Sequence, residues 1–340
     1  MAATRGEKTV VITGGNAGLG FECARGVSAS GRGWRVVLAC RDREKGERAA
    51  RELNGEFGDG RVEAMVLDLA SLASVRAFAR GLRARISTGE MPPLRALLCN
   101  AGIQVVTGTT YTEDGFEETF GVNHLGHFLL VNLLLGDLEA PARIVLVSSG
   151  THDPAQRTGM PPGPRWREPE MLAWPERYPA TPGENPSTTG RRRYSASKLA
   201  NVLTAYELSR RLETTSGAGD REAPVTVNLY DPGLMPGSGL ARDYGAAQRF
   251  AWRYVFPALR LFVPNVNSTG ASGRVLAQLV SEPRFGGVTG KYFVGHEAQR
   301  SSDESYDRKK AAELWEASAR LVSLRPEETI LRVETPASGA

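Results

Sequence analysis

The chain has 340 residues and carries 42 basic against 38 acidic side chains, a formal net charge of +4. That length holds one large α/β domain, or at most two domains. So small a charge, with no basic stripe interleaved with aromatics, points away from nucleic acid. No apolar run reaches the roughly eighteen residues of a membrane span, and the first residues lack the apolar core of a signal peptide. The expectation is a soluble, cytoplasmic protein that acts on a small molecule.

The first predicted element is a strand, Lys8-Thr9-Val10-Val11-Ile12, whose β-branched run reads as buried. A glycine-rich turn follows, Thr13-Gly14-Gly15-Asn16-Ala17-Gly18-Leu19-Gly20, and then helically spaced apolar residues from Phe21 to Val27. Strand, glycine turn and helix together make a phosphate cradle. The glycines let the backbone approach a pyrophosphate, whose charge sits at the helix N-terminus. The second strand, Trp34–Cys40, ends in Arg41-Asp42-Arg43-Glu44-Lys45. An acidic residue there reads the ribose of NAD, and an arginine accommodates the 2′-phosphate of NADP. Arg41 comes first and favours NADP; Asp42 is the competing acid, and Arg43 and Lys45 equally suit a solvated start to the next helix.

Three further strand ends follow. Arg61–Leu67 leads into Asp68-Leu69, an acid placed to reach an adenine, and Leu94–Cys99 leads into Asn100-Ala101-Gly102, small enough for a cofactor to pass the backbone. Arg143–Val147 leads into Ser148-Ser149-Gly150, and before it lies a long apolar helix, Phe120–Phe128, containing Asn123. Tyr194 and Lys198 then stand four positions apart in Tyr194-Ser195-Ala196-Ser197-Lys198. On a helix both face one way, about a turn apart. A phenol titrates near pH ~10. A neighbouring ammonium lowers that value and suits the pair to proton transfer with an alcohol or a carbonyl.

In this order, TGGNAGLG, CNAG, VNHLGHF, VSSG and YSASK resemble the short-chain dehydrogenase/reductase superfamily over roughly residues 8–295. LDLASLASVR, TEDGFEETFGVNHLGHFLL, YSASKLANVL, SGRVLAQLVSEP and AAELWEASARLVSL are similar to its branch of retinol dehydrogenases and light-dependent protochlorophyllide reductases. The resemblance implies a single α/β domain over 1–325, a Rossmann-type, doubly wound sheet of seven parallel strands, with a tail at 326–340. It implies NADPH/NADP+ held by Thr13, Gly14, Asn16, Ala17, Gly18, Leu19, Gly20, Arg41, Asp68, Leu69, Asn100, Ala101, Gly102, Tyr194, Lys198, Pro232, Gly233 and Ser238. Tyr194 would exchange a proton with the substrate oxygen, and Lys198 would lower the Tyr194 pKa and bind the nicotinamide ribose. Ser149, rather than Ser148, would orient the substrate oxygen, and Asn123 would support a proton-relay water by interrupting its helix. The implied activity is NADPH-dependent reduction of a ketone to a secondary alcohol, or the reverse, on a bulky, mostly apolar molecule, by a monomer or homodimer. A C=C reductase of protochlorophyllide-reductase type is one alternative; a catalytically silent NADP-binding sensor is another.

Several positions depart from that pattern. The protochlorophyllide reductases carry a cysteine directly after the Pro-Gly pair that follows the sixth strand. Here Val225–Tyr230 is followed by Asp231, then Pro232-Gly233 and Leu234, which counts against reduction of a chlorophyll precursor. Asp231 either faces substrate or is a strand-end turn acid, and Ser238 stands near the usual place of a threonine that contacts the nicotinamide carboxamide. Ser149 and Tyr194 lie unusually far apart, and residues 152–193 hold nine of the twenty prolines. This stretch is either a lid or rim to the pocket or a solvated excursion; Trp166 and Trp174 favour local packing. Arg191-Arg192-Arg193 at its end either meets an anionic substrate or forms a solvated face.

Within a substrate-binding region at 238–285, the aromatic run from Phe250 to Val263 suits three roles: a pocket wall, a subunit interface, or a peripheral membrane contact flanked by Arg249, Arg253 and Arg260. Cys23, Cys40 and Cys99 read as buried thiols. His124 and His127 read as core or cofactor-side residues, so no metal is expected.

Overall fold

The β-branched runs form the strands that the pattern predicts, in a computed structural model that describes residues 6–58, 60–156, 163–178, 183–215, 224–239, 243–262 and 265–332. The strands are β1 (Lys8–Thr13), β2 (Trp34–Cys40), β3 (Val62–Val66), β4 (Leu94–Cys99), β5 (Leu138–Val147), β6 (Val225–Asp231), β7 (Lys291–Val294) and β8 (Glu297–Gln299). They make one sheet in the order β3-β2-β1-β4-β5-β6-β7-β8. Seven are parallel, as expected. The eighth corrects the strand count: β8 returns antiparallel against β7, pairing Ala298 with Phe293, after a tight turn at Gly295 with φ 60°.

The helices are α1 (Gly18–Ala29), α2 (Arg43–Phe57), α3 (Leu72–Ser87), α4 (Glu118–Phe120), α5 (Gly126–Leu134), α6 (Pro169–Ala173), α7 (Pro186–Thr215), α8 (Ala246–Phe250), α9 (Thr269–Ser281) and α10 (Arg308–Leu321). Alternate residues of each central strand feed two separate cores. Val11, Val37, Leu97 and Ile144 pack beneath α3, α5, α7 and α10. Val10, Val36, Leu98 and Val145 pack beneath α1, α2 and α9. Burial on both faces is what a continuous apolar strand requires.

The strand order reverses between β1 and β4, which opens a crevice at their carboxyl ends. The helix that borders this crevice is held close. A Cβ on Gly273 of α9 would lie 2.3 Å from Glu22 Cβ of α1. Only a glycine lets the two axes come this near.

Three expectations need correction. The helix over 120–128 is continuous but locally widened: an underwound π-helical turn at Gly121–Leu125 separates α4 from α5. The proline-rich stretch is largely built into the body. Its residues 186–193 are the first turns of α7, and Leu172 and Ala173 of α6 are buried. Trp166 and Trp174 pack against the core, with the Trp174 ring 5.6 Å from that of Phe116. Residues 157–162 and 179–182 lie outside the described residues. Finally, the tail does not begin at 326. Glu328 pairs with Arg76 of α3 at 2.9 Å, Thr329 donates to Asn132 Oδ1, and Leu331 is buried; residues 333–340 lie outside the described residues.

Candidate active site

The glycine turn opens into a cavity of about 1250 Å³ that runs along the carboxyl ends of the strands to the 244–259 segment. Gly14 and Gly18 take left-handed backbone angles, φ 65° and 57°. The space beside Gly18 is open, with no atom within 4 Å of where a Cβ would stand. Ala17 caps α1 without any side-chain hydrogen bond, so the first N–H groups of the helix face the cavity unclaimed. This donor set fits a pyrophosphate.

All predicted site residues line the cavity except three: Thr13, Gly20 and Asn123. These stand behind the wall. A Cβ on Gly20 would meet the Gly14 carbonyl oxygen at 2.5 Å and Asn100 Nδ2 at 2.6 Å, so this glycine serves the packing of the turn. Thr13 Oγ1 accepts from the backbone N–H groups of Asn100 and Ala101, both at 2.9 Å. His127 Nδ1 faces the Asn123 carbonyl at 3.1 Å and must donate there. Its Nε2, 2.9 Å from Thr13 Oγ1, therefore accepts the threonine proton. Burial holds the His127 pKa down at about 4, which keeps this tautomer neutral.

The Asn123 side chain is likewise spent on scaffold. Its Oδ1 accepts from Ile103 N at 2.8 Å, and its Nδ2 donates to Ile103 O and Ser197 Oγ. The π-turn places it between the loop after β4 and helix α7. His124 bonds Ser318 at 2.8 Å, and no group of three or more metal-ligating side chains occurs among the described residues.

At the end of β2, Asp42 is already engaged. Its carboxylate caps α2 by accepting from Lys45 N at 3.0 Å, and it pairs with Lys45 Nζ at 2.9 Å. Arg41 lines the cavity with no ion pair among the described residues. The cation faces the cavity and the acid faces its own helix.

The residues expected to be catalytic meet near the carboxyl ends of β5 and β6. Tyr194 and Lys198 sit on one face of α7 and are only 7% and 3% exposed. Burial raises the Tyr194 phenol well above its usual range, and the Asp231 charge raises it further, while a hydrogen bond with Ser149 opposes both. Burial pushes Lys198 down to about 8, although Asp231 pulls it up. Lys198 Nζ donates to the Val147 carbonyl at 3.0 Å. Ser148 is turned the other way and donates to the Lys198 carbonyl, whereas Ser149 accepts from Thr151 N at 3.3 Å and stays beside Tyr194.

Asp231 lines the cavity. It is also a turn acid, accepting from Gly233 N at 2.9 Å and from the Tyr292 hydroxyl at 3.1 Å. His152, buried outside the cavity lining, braces this end: its Nε2 accepts from Ser302 N, so its Nδ1 carries the proton that goes to the Ser149 carbonyl at 2.7 Å.

Trp252, Phe256 and Leu259 add apolar side chains to the cavity lining. The same segment turns its other side outward, with Phe250 62%, Tyr254 63% and Phe262 81% exposed. Val263 lies outside the described residues. Tyr244, Glu118 and Gln156 also line the cavity and were not anticipated from sequence. The Tyr244 hydroxyl donates to Gln104 Oε1 at 3.0 Å, and Asp243 accepts from Val106 N and Thr107 Oγ1. Together they tie the wall segment to the loop after β4. No helix among the described residues is long and apolar enough to cross a membrane.

Residues 8–159 match the short chain dehydrogenase family model, and residues 240–331 match the AcuH dehydrogenase domain. Retinol dehydrogenase 13 of Homo sapiens is 39% identical over 325 residues, 95% of this chain and 86% of its own. The chain belongs to the short-chain dehydrogenase/reductase superfamily. Within it, the chain falls in the branch of retinol dehydrogenases and protochlorophyllide reductases. The protochlorophyllide reductase of Avena sativa is 36% identical over 332 residues, covering 93% of this chain and 99% of its own. The solved structure of an uncharacterised protein from Mycobacterium paratuberculosis aligns with a TM-score of 0.65 at 31% identity, covering 95% of this short-chain dehydrogenase and 96% of that chain.

Proposed function

We propose that this oxidoreductase reduces a ketone to a secondary alcohol with NADPH, on a bulky and mostly apolar small molecule. One observation carries the proposal: the Tyr194 phenol, the Ser149 hydroxyl and the Lys198 ammonium meet at one end of the cavity. Ser149 donates to the substrate oxygen and fixes its place beside the phenol. Tyr194, held protonated by burial, gives its proton to that oxygen as negative charge builds there. Lys198 lies 5.6 Å from the phenol ring centre and favours the phenolate left behind. Asn123, Thr13 and His127 hold the backbone that frames these groups. When bound, the reduced nicotinamide supplies the hydride, which no side chain can. NADP is favoured over NAD because Arg41 is available to a 2′-phosphate while Asp42 is committed to α2.

A second reading, reduction of a C=C bond, is supported by the identity to protochlorophyllide reductases over nearly the whole chain. Leu234 after Pro232-Gly233 weighs against it, since the resemblance puts a cysteine there. Tyr194→Phe tests the enzyme proposal. Turnover of a ketone panel should fall by about 10²–10⁴-fold, with NADPH binding, read by fluorescence titration, retained. Unchanged turnover would overturn the assigned role of Tyr194.

A further inference from the structure

Arg191 stands three positions before Tyr194 on α7. Residues so spaced share a face, with Cβ atoms about 5–6 Å apart. The three consecutive arginines of this helix have different fates. Arg192 pairs with Glu184 at 2.7 Å, and Arg193 donates to Thr109 Oγ1 at 2.8 Å and faces Glu117. Arg191 alone of the three lines the cavity, beside Tyr244. Its Nε is buried with no hydrogen-bond partner, and no carboxylate among the described residues pairs with its guanidinium.

The three acids that line the cavity are engaged: Asp68 by Ala70 N, Asp231 by Gly233 N and the Tyr292 hydroxyl, and Glu118 by Thr110 Oγ1. Segments 157–162, 240–242 and 263–264, which adjoin lining residues in the chain, contain no Asp or Glu. An arginine that faces an apolar-walled cavity with donors to spare is matched by a planar oxyanion, which takes two parallel N–H bonds from the guanidinium fork. The phosphate cradle at Gly14–Leu19 is carried by a different element, α1 and the turn before it, and already has its own donors.

We infer that the substrate is an oxo-carboxylic acid: an apolar skeleton whose ketone sits under Tyr194 and Ser149 and whose carboxylate pairs with Arg191. This deepens the ketone-reduction proposal and rests on it for the position of the carbonyl. Arg191 acts in specificity and takes no part in proton transfer.

Paired probes test it: 4-benzoylbenzoate and its methyl ester, and a long-chain oxo-fatty acid and its methyl ester. Binding is read by calorimetry on the NADP+-loaded protein, where no reduction occurs, and turnover is read separately with NADPH. Each acid should bind and react about tenfold to a hundredfold better than its ester. Arg191→Met should erase that preference through KM rather than kcat, and Arg191→Lys should restore part of it. Arg192→Met, which breaks the Glu184 pair and a bond to the Gly163 carbonyl but leaves Arg191 in place, should keep the preference. Equal binding of acid and ester to the wild type, or a preference that survives Arg191→Met, overturns the inference. If the acids bind preferentially but NADPH reduces none of the probes, the Arg191 assignment stands and the ketone-reduction proposal is what fails.

Discussion

At the scale of single residues, Lys198 sets the pH behaviour. Its folded pKa is lowered from 10.5 to about 8 by burial, so it is charged below that value and neutral above. Tyr194 moves the other way, upward, and its own ionisation lies at higher pH. In the protein free of ligands, kcat/KM for ketone reduction should therefore decline as pH rises through about 8, through loss of the ammonium. Lys198→Met should remove that limb along with most activity; a wild-type profile flat beyond that value would show that the lysine charge is not needed. Arg41 carries the proposed preference for NADP. Arg41→Ala should weaken NADPH binding by about tenfold to a hundredfold and leave NADH nearly unaffected, since only the 2′-phosphate loses its charge-assisted bonds. Equal effects on both cofactors in a titration would place Arg41 elsewhere.

The sequence identifies which residue types gather at this site more readily than which atoms face the ligand. Asn123 and Thr13 illustrate the difference. Both belong to motifs that mark the site, yet their polar atoms are consumed by Ile103, Ser197, His127 and the turn at Asn100. A strand end with a buried hydroxyl looks the same in sequence whether the hydroxyl points at a phosphate or at the next strand. Arg191 shows the converse. In sequence it is indistinguishable from Arg192 and Arg193, and only the helical phase of α7 against Glu184 and Glu117 separates them.

At the scale of elements, α7 bears three of the functional side chains, and its placement depends on Gly190. A Cβ there would lie 2.0 Å from the Val105 carbonyl oxygen and 2.9 Å from Val106 Cα. Both are backbone atoms of the loop after β4, so no side chain can rotate away. Gly190→Ala should push the first turns of α7 off the loop after β4 and destabilise the fold by about 1–3 kcal/mol. It should lower kcat more than it weakens NADPH, because the cradle on α1 is untouched. Thermal unfolding and steady-state kinetics check the two halves; unchanged stability would mean that the contact is not this tight.

Proline density and the distance between Ser149 and Tyr194 marked 152–193 as unusual, but not where it packs. Leu172, Ala173, Trp166 and Trp174 join the core beside α10, and from the described part of this stretch only Gln156 and Arg191 line the cavity. Trp166 and Trp174 were the sequence signal for that packing, and two aromatics in a proline-rich stretch do not say which surface they reach. The wall from Ala246 to Leu259 lines the cavity with one side and exposes aromatics on the other.

At the scale of the molecule, the sheet order and the two cores follow from apolar strands alternating with amphipathic helices, which is why the doubly wound fold was legible. The β7–β8 edge was not, because β8 has three residues and all are exposed. Nor was the docking of 326–332. Its anchor is a single carboxylate, Glu328, which Arg76 and Arg325 hold down at about 2 from an ordinary 4.5 despite the opposing effect of burial. A depressed carboxylate stabilises the fold above its unfolded pKa and loses that contribution as pH falls toward the folded value. Arg76→Ala should thus lower stability at neutral pH, and the deficit relative to wild type should shrink between about 4.5 and 2. Deleting residues 326–340 should remove the same contacts and the burial of Leu331, worth about 2 kcal/mol, and lower Tm by a few degrees. An unchanged melting curve would return this segment to the status of a tail.

The most direct test of the whole scheme follows the label from NADPH deuterated at the nicotinamide C4 into an α,β-unsaturated ketone, which offers a carbonyl and a C=C bond to the same site. Product analysis by NMR should place deuterium on the carbinol carbon, with Tyr194→Phe abolishing the transfer. Deuterium on the β-carbon of a saturated ketone would contradict ketone reduction and assign the chain to C=C chemistry.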